Sequence, residues 1–403
     1  MLPGMKVNLR HLRTFLWTVQ TGSITRAAEL SNVSQPAVTQ AIRRLERHFG
    51  MTLFERTPRG LFATAAGKVL AERCAQALGR LDGVLHALAP RLPLTATSSQ
   101  LTALIAAVEA ENFTLAARRL GLAQPTIHRA IAELEQEAGR ELFERTSRGM
   151  LASRAAANLA RAAELAFAEI DQAEAAMGEM GGREVGRIAI GAMPLSRASV
   201  LPMAIAGFRK QWPTLPIRAV EGPYRALLDG LRRGRLDFLI GALRDPLPTE
   251  DIEQEFLFAD ELAVVCGPDH PVLADGIPTR DRLAEYPWMV APAGTPTRVM
   301  FDHVFAGFET PASIVETSSV VLMRQTLAIS DHLGLVSAGQ ITYDVELGSL
   351  VRLPIDLHET ARPIGLSMRK DWVPTRAQAV FLDEVRAAAR QVGPSRPATG
   401  MQA

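Results

Sequence analysis

Apolar positions fall at helical spacing through about residue 180, and from Arg187 short apolar strand runs alternate with helical stretches. Leu9, Leu12, Phe15, Leu16 and Val19 predict a first amphipathic helix that Gly22 ends in a left-handed turn. Ser23 caps a short second helix through Ala27 and Ala28, residues small enough to let two helices cross closely. Val38, Ile42, Leu45 and Phe49 make one apolar stripe on a third helix, with Ser34 as its N-cap and Pro36 in its first turn. Two strand-like runs, residues 53–56 and 61–64, flank Thr57, Pro58, Arg59 and Gly60 and predict a hairpin with a basic tip. Three helices and a hairpin compose a winged helix-turn-helix.

The chain then repeats itself at a fixed offset of 89 without a gap. Ala116 and Ala117 answer Ala27 and Ala28, Gln124 and Pro125 answer Gln35 and Pro36, and Leu134 and Glu135 answer Leu45 and Glu46; 21 of 55 aligned positions are identical. The stripe survives as Ile127, Ile131, Leu134 and Ala138, so a second winged module is expected. Each copy runs on into a long helix, marked by Leu70, Cys74, Ala77, Leu81, Leu85 and Leu88 and then by Leu159, Ala163, Ala166, Ile170, Ala173 and Met177. Such spacing seeks a partner helix, and the second helix either pairs with another chain or folds back on the first. From Arg187 onward short apolar strands at 188–191, 217–221, 236–240 and 262–266 alternate with helical stretches at 200–211 and 224–233. The expected fold is therefore multidomain: two all-α-type winged helix-turn-helix modules with long linker helices, then an α/β domain.

Charge changes the picture locally. The chain of 403 residues is 47% hydrophobic and carries a net charge of only +1, the balance of an ordinary soluble protein of two or three domains. Between Lys6 and Arg73, however, eleven Lys/Arg face four Asp/Glu, whereas Ser98 to Leu165 holds eight of each. The outward Arg43, Arg44, Arg47 and His48 of the third helix become Ala132, Glu133, Gln136 and Glu137 in the second copy. Carboxylates repel phosphates, so the second copy is expected to serve structure or dimerisation. The alternative is a second reading head built on His128, Arg129, Arg145 and Arg148. The two cysteines, Cys74 and Cys266, give neither a metal spacing nor a disulfide framework, as expected in a reducing cytosol. Met1 is not followed by an export pattern, and no apolar run reaches 18 residues, so secretion and a membrane partner are not expected. Neither a phosphate loop nor a nucleophile elbow is present, and His303, His332 and His358 read as surface or core residues; no enzyme, metal or cofactor is expected.

The outer face of the third helix carries the chemistry of duplex recognition. Gln35, Thr39 and Gln40 suit base edges near the helix start with Ser34, Pro36 and Ala37, while Arg43, Arg44 and Arg47 suit phosphates, joined by Arg56 and Arg59 of the hairpin. A solvated amphipathic helix shows the same outer charge, and the surrounding helices and hairpin tip the reading to DNA. Ala27-Ala28, Ser34 to Val38, Ile42, Leu45-Glu46, Gly50, the Leu-Phe-Glu-Arg run ending at Arg56 and the Thr-Ala-Ala-Gly run ending at Gly67 together resemble the amino-terminal domain of LysR-type transcriptional regulators. Ser31 departs from the leucine usual there.

Leu201-Pro202, the run from Gly234 to Asp237 and that from Asp269 to Pro271 are similar to the effector domain of the same family, a two-lobed clamshell of the type 2 periplasmic-binding kind. The resemblance implies a DNA-binding module over 5–64, a linker helix over 65–92, a degenerate module over 98–153, a second linker helix over 154–182 and an effector domain over 186–392. Lobe I then takes about 186–266 and 364–392, and lobe II about 267–363. Implied partners are double-stranded operator DNA, a small-molecule effector, a second copy in a homodimer or homotetramer, and RNA polymerase. A transport-type solute-binding protein is the alternative, but it would need an export signal and has no use for a basic head.

Ligands of open α/β sheets bind beyond strand carboxyl ends, close to helix N-termini. That rule selects Ser196 after the first strand, Tyr224 after the second, Thr295, Thr297 and Arg298 at one helix start, and Ser318 and Ser319 at another. Ser and Thr at these places are equally ordinary caps, and Arg298 fits either an anionic effector group or an exposed salt bridge. The run from Glu316 to His332 also resembles the subgroup typified by the galactose-binding-protein regulator, which implies a sugar or sugar acid; the Tyr224 ring admits stacking on a sugar or on an aromatic acid.

Overall fold

The computed structural model describes residues 7–58, 60–146 and 149–392, without the side chains of Arg145, Thr146 and Asp275. Arg59 and Arg148, assigned to the two hairpin tips, lie outside the described residues. The first module consists of α1 (Leu9–Thr21), α2 (Ile24–Ser31) and α3 (Gln35–Phe49), the hairpin β1 (Phe54–Thr57) and β2 (Gly60–Ala63), and the long α4 (Ala65–Leu88). After the short α5 (Leu92–Thr95), the second module repeats the order as α6 (Ser98–Ala110), α7 (Phe113–Leu120), α8 (Gln124–Ala138), β3 (Phe143–Thr146), β4 (Gly149–Ala152) and the long α9 (Arg154–Met180).

Local chemistry sets these ends. The Asn8 and Ser23 side chains accept the Arg10 and Arg26 amides at 2.8 and 3.3 Å, and Gly22 closes α1 at φ 61°. In the second module Glu111 holds that left-handed position at φ 48°, a conformation that a residue with a Cβ adopts only at some cost. In both copies a glutamate fastens α3 or α8 to its wing: Glu46 accepts the Leu53 amide at 2.9 Å and Glu135 the Leu142 amide at 2.8 Å. Val38, Ile42, Leu45 and Phe49, and likewise Ile127, Ile131, Leu134 and Ala138, are buried as their spacing requires. One apolar core runs from Val7 to Met177, through both modules and both long helices.

The remaining chain forms two α/β lobes. The first sheet joins β5 (Ile188–Ala192), β6 (Ile217–Val220), β7 (Phe238–Ala242), β8 (Ile252–Asp260) and the returning strand (Arg362–Arg369) in the order β6-β5-β7-return-β8. Helices α10 (Pro194–Ala198), α11 (Val200–Phe208) and α12 (Tyr224–Arg232) follow its strands, and the final helix (Arg376–Val392) packs on α11 through Phe208 and Phe381, whose rings lie 5.2 Å apart. The second sheet joins β9 (Leu262–Cys266), β10 (Trp288–Val290), β11 (Ile314–Glu316), β12 (Leu333–Ser337) and β13 (Val351–Arg352). Its helices are α13 (Arg280–Ala284), α14 (Pro296–Val304), α15 (Val320–Ala328) and α16 (Ala338–Glu346), so that the returning strand is β14 and the final helix α17.

One expectation is corrected. Residues 262–266, placed at the end of lobe I, pair antiparallel with β12 of lobe II. The chain therefore crosses between lobes beside Glu261 and returns just before Arg362, where the Leu262 amide donates to Thr360 Oγ1 at 2.9 Å.

Gly67 marks the tightest helix–wing contact, since a Cβ there would lie 2.2 Å from the Leu53 carbonyl oxygen. Gly67→Ala is expected to lower stability by about 1–3 kcal/mol, measured as a lower calorimetric melting temperature. An unchanged melt would contradict this packing.

Candidate nucleic-acid interface and effector cleft

Burial of one side of α3 fixes what the other side offers. Gln35, Gln40, Arg43, Arg44 and Arg47 are exposed and Thr39 is half-buried, its hydroxyl donating to the Gln35 carbonyl at 3.2 Å. Ser34 has the extended backbone of an N-cap, yet its side chain makes no capping bond. The first amides of α3 therefore face outward beside a hydroxyl, an arrangement that favours a phosphate. Grooves flank the helix on both sides. One is walled by Thr25, Gln35, Thr39 and, from the wing, Arg56; the other by Gln40, Arg43, Arg47 and Thr52. Positive charge gathers here: the imidazole of half-buried His11 is held below its usual pKa by burial and then by Arg44 and Arg10. Side-chain amides, arginines and a wing on one convex surface match the requirements for major-groove reading with backbone anchoring.

The second module presents the same shape with different chemistry. Arg129, exposed on α8, is committed to Glu133 at 2.9 Å, and Glu133 also accepts from Gln100 at 2.9 Å. Those two bonds hold the Glu133 carboxyl below its usual pKa, Arg129 first. His128 meets Phe113 edge-on at 5.9 Å. Exposed Leu115 and Leu122 stand where the first module carries Arg26 and Val33. An outward carboxylate that already holds the nearest arginine opposes a phosphate backbone.

Between the lobes lies a cleft of about 190 Å³. Thr295, Thr297, Ser318 and Ser319 line it, as their loops led us to expect, at the starts of α14 and α15. Thr295 and Ser319 are also true caps, accepting the Arg298 and Leu322 amides at 3.3 and 3.2 Å. Three expected residues lie elsewhere. Ser196 is fully buried and its hydroxyl is used by the Met193 carbonyl at 2.8 Å. Tyr224 is not among the residues that line the cleft; its ring lies beneath the guanidinium of Arg244, which does line it, at 4.7 Å. Arg298 is held by Asp302 at 2.9 Å and by Glu316, so it is an ion-pair residue and not an anion receptor.

The polar centre of the cleft is instead Arg362 with Gln340. Arg362 opens β14 at the return crossing; its Nη1 lies 3.4 Å from Thr297 Oγ1 in lobe II and its Nη2 3.4 Å from Asp260 at the end of β8. Asp260 is buried, which raises its pKa, while the hydroxyl of Ser337 donates to it at 2.8 Å. Arg362 Nε and Gln340 Nε2 are buried donors without a hydrogen-bond partner. Met193, Leu195, Met323, Val336 and Ile364 supply an apolar wall. No periodicity announces Arg362; its only signal in the chain is an arginine placed where a buried strand begins. Away from both sites, Asp356, His358 and Glu359 stand together on the surface, with His358 bonded to Asp356 at 2.9 Å. Both thiols are buried, which pushes Cys74 up to about 12 and Cys266 to about 11, so neither is a reactive thiolate.

Comparison with known proteins identifies both kinds of domain. The model of the bacterial regulatory helix-turn-helix protein, lysR family, matches residues 9–68 and again 98–157, and that of the LysR substrate binding domain matches residues 181–390. The chain is 34% identical over 384 residues to the HTH-type transcriptional regulator GalR of Pseudomonas putida, covering 94% of this chain and 96% of that one. It is 28% identical over 389 residues to the HTH-type transcriptional regulator PcaQ of Agrobacterium fabrum, covering 96% of each. Among solved structures, full-length OxyR from Pseudomonas aeruginosa and ArgP from Mycobacterium tuberculosis share the fold at 21% identity, with TM-scores of 0.54 and 0.56; each match covers 98% of the solved chain and 74% of this one. The quarter left over is close to the 89 of 403 residues in one repeat. With the helix-turn-helix domain present twice and the effector domain once, the chain belongs to the LysR family of transcriptional regulators, which are DNA-binding proteins and not enzymes.

Proposed function

We propose that the first module alone reads operator DNA, and that the effector is a small carboxylic acid with an apolar body. For DNA, we assign Gln35, Pro36, Ala37, Thr39 and Gln40 to the bases, Ser34 to the helix start that meets the backbone, and Arg43, Arg44, Arg56 and Arg59 to the phosphates. For the effector, the observation that carries the reading is the pair of buried, unpartnered donors, Arg362 Nε and Gln340 Nε2. A buried donor without an acceptor is costly, and a carboxylate supplies acceptors for both while pairing with the guanidinium. Arg362 already donates to Thr297 and to Asp260, but at 3.4 Å each, long for such bonds, and through its Nη atoms only. A cleft of about 190 Å³ with methionine, leucine and isoleucine walls suits an aromatic acid better than a neutral sugar, and lies below the roughly 300–1,000 Å³ of drug-sized sites. Thr295, Thr297, Ser318 and Ser319 then orient the ring substituents. A sugar acid, which the subgroup resemblance favours, is the second reading.

An effector acts only by favouring one arrangement of the lobes over another, and the Asp260–Arg362 crossing lies where such a rearrangement would pivot. On this reading the protein acts in the cytoplasm, as a homodimer or homotetramer, with RNA polymerase as a further partner at the promoter.

Two measurements test this. Arg43→Glu is expected to weaken binding to every DNA sequence alike and to reduce the salt slope by about one; affinity and slope equal to the unaltered chain would refute the assignment of α3. Calorimetry of the full chain against aromatic acids, sugar acids and neutral sugars is expected to find an acid whose affinity drops tenfold or more (about 1.4 kcal/mol or more) in Arg362→Ala and is unchanged in Arg298→Ala. Binding of a neutral sugar that ignores Arg362 would overturn the effector assignment.

A further inference from the structure

The two long helices are copies of one another, yet their facing surfaces are not interchangeable. Helices α4 and α9 pack antiparallel: Arg73 of α4 reaches Glu169 and Gln172 of α9, while beyond their ends Arg183 reaches the Phe49 carbonyl at 3.5 Å. The guanidinium of Arg73 donates to Glu169 at 3.2 Å and to Gln172 at 3.0 Å, and all three residues are buried, at 6%, 2% and 7% exposure. Under the 89-residue offset, Glu169 corresponds to Arg80, Gln172 to Gly83 and Arg73 to Ala162. Two α4 helices paired in the same geometry would set a buried Arg73 against an arginine and a glycine, with no acceptor between them. Two α9 helices would leave Glu169 facing Ala162. Only the mixed pair satisfies the buried charge.

From this we infer that the second module is a built-in partner subunit: α4 is paired with α9 of the same chain, and two chains do not associate through α4. The pairing within one chain follows from the single core that spans both modules and from Ser98, whose hydroxyl donates to the Val7 carbonyl at 3.1 Å across the repeat. Another face of α9 has a second task. Buried Glu164 accepts from Arg233 at 3.0 Å and from Arg235 Nε at 3.1 Å, both on lobe I, and Glu109 of α6 also pairs with Arg235. The first copy has Gln20 and Ala75 at the places of Glu109 and Glu164, so this fastening belongs to the second copy alone. The inherited fold thus serves as dimer partner on one side and as the mount for the effector domain on the other. This inference rests on the α4–α9 contact and stands whichever acid fills the cleft.

The test uses full chains carrying Arg73→Glu, Glu169→Arg, or both. Each single change sets like charges against each other and is expected to lower the melting temperature by about 10 °C, and the double change in one chain to recover most of it. The decisive arm co-expresses the two single variants. Pairing within a chain leaves every molecule mismatched, so the mixture melts as low as its parts. A mixture that recovers would show that the helices pair between chains, and single variants that melt like the unaltered chain would show that the contact is not made; either overturns the inference.

Discussion

A buried arginine between two long helices constrains the molecule more than any other single contact. Each copy of the repeat ends in a helix of more than six turns with one continuous apolar face, and neither face is tolerable in water. Packing α4 on α9 buries both, but it also buries the Arg73 guanidinium, which is tolerated only with Glu169 and Gln172 opposite. Loss of one partner of a buried pair costs about 3–5 kcal/mol, comparable to the margin by which domains are stable at all. The position of the first head relative to the second, and of α9 against lobe I through Glu164, depends on that match.

The repeat shows which parts of a helix-turn-helix serve folding and which serve DNA. Many residues that survive in both copies face inward or join elements, among them the alanine pair of the second helix, leucines of the stripe, and the glutamate that accepts the wing amide in each copy; Gln35, matched by Gln124, and Arg56, matched by Arg145, survive as well, and Gln35, Gln124 and Arg56 are exposed. Core positions that diverged, such as Phe15 to Leu104 and Phe49 to Ala138, stay apolar, whereas the outward positions change charge. Exchange of Arg43, Arg44 and Arg47 for Ala132, Glu133 and Gln136 leaves the core untouched and removes the charge that counterion release requires. Carboxylates appear instead where α9 meets α4 and lobe I, so the second copy has gained protein contacts as it lost phosphate contacts.

Much of this was legible in the residues, because periodicity is a direct record of burial. The stripes of α3 and α8, both long helices and the helix-start threonines and serines of the cleft follow from spacing and capping alone. What escaped the sequence depends on partners distant along the chain. Arg298 reads equally as an effector contact or an ion pair until Asp302, one turn on, and Glu316 of the neighbouring strand close on it. The hydroxyl of Ser196 is claimed by a carbonyl three residues back, and Tyr224 is screened by Arg244, twenty residues on. Residues 262–266 form a short apolar run, which states that a strand exists but not which sheet it joins. Arg362 is invisible for the same reason: its neighbours Asp260 and Thr297 meet it only where the chain recrosses between lobes. A 3.5-residue period likewise calls for a partner helix without naming it.

The claim that one chain carries one reading head and one structural head is tested most directly by the footprint on operator DNA. His128 and Arg129 are exposed on α8, so His128→Ala with Arg129→Ala in the full chain removes two of the outward groups on which a second reading head would depend. An unchanged footprint and an operator affinity altered by less than about 1 kcal/mol, below the 1–3 kcal/mol of a lost base contact, are the predicted results. A footprint that shortens by one head's width with that double change would contradict the account and give each chain two reading heads.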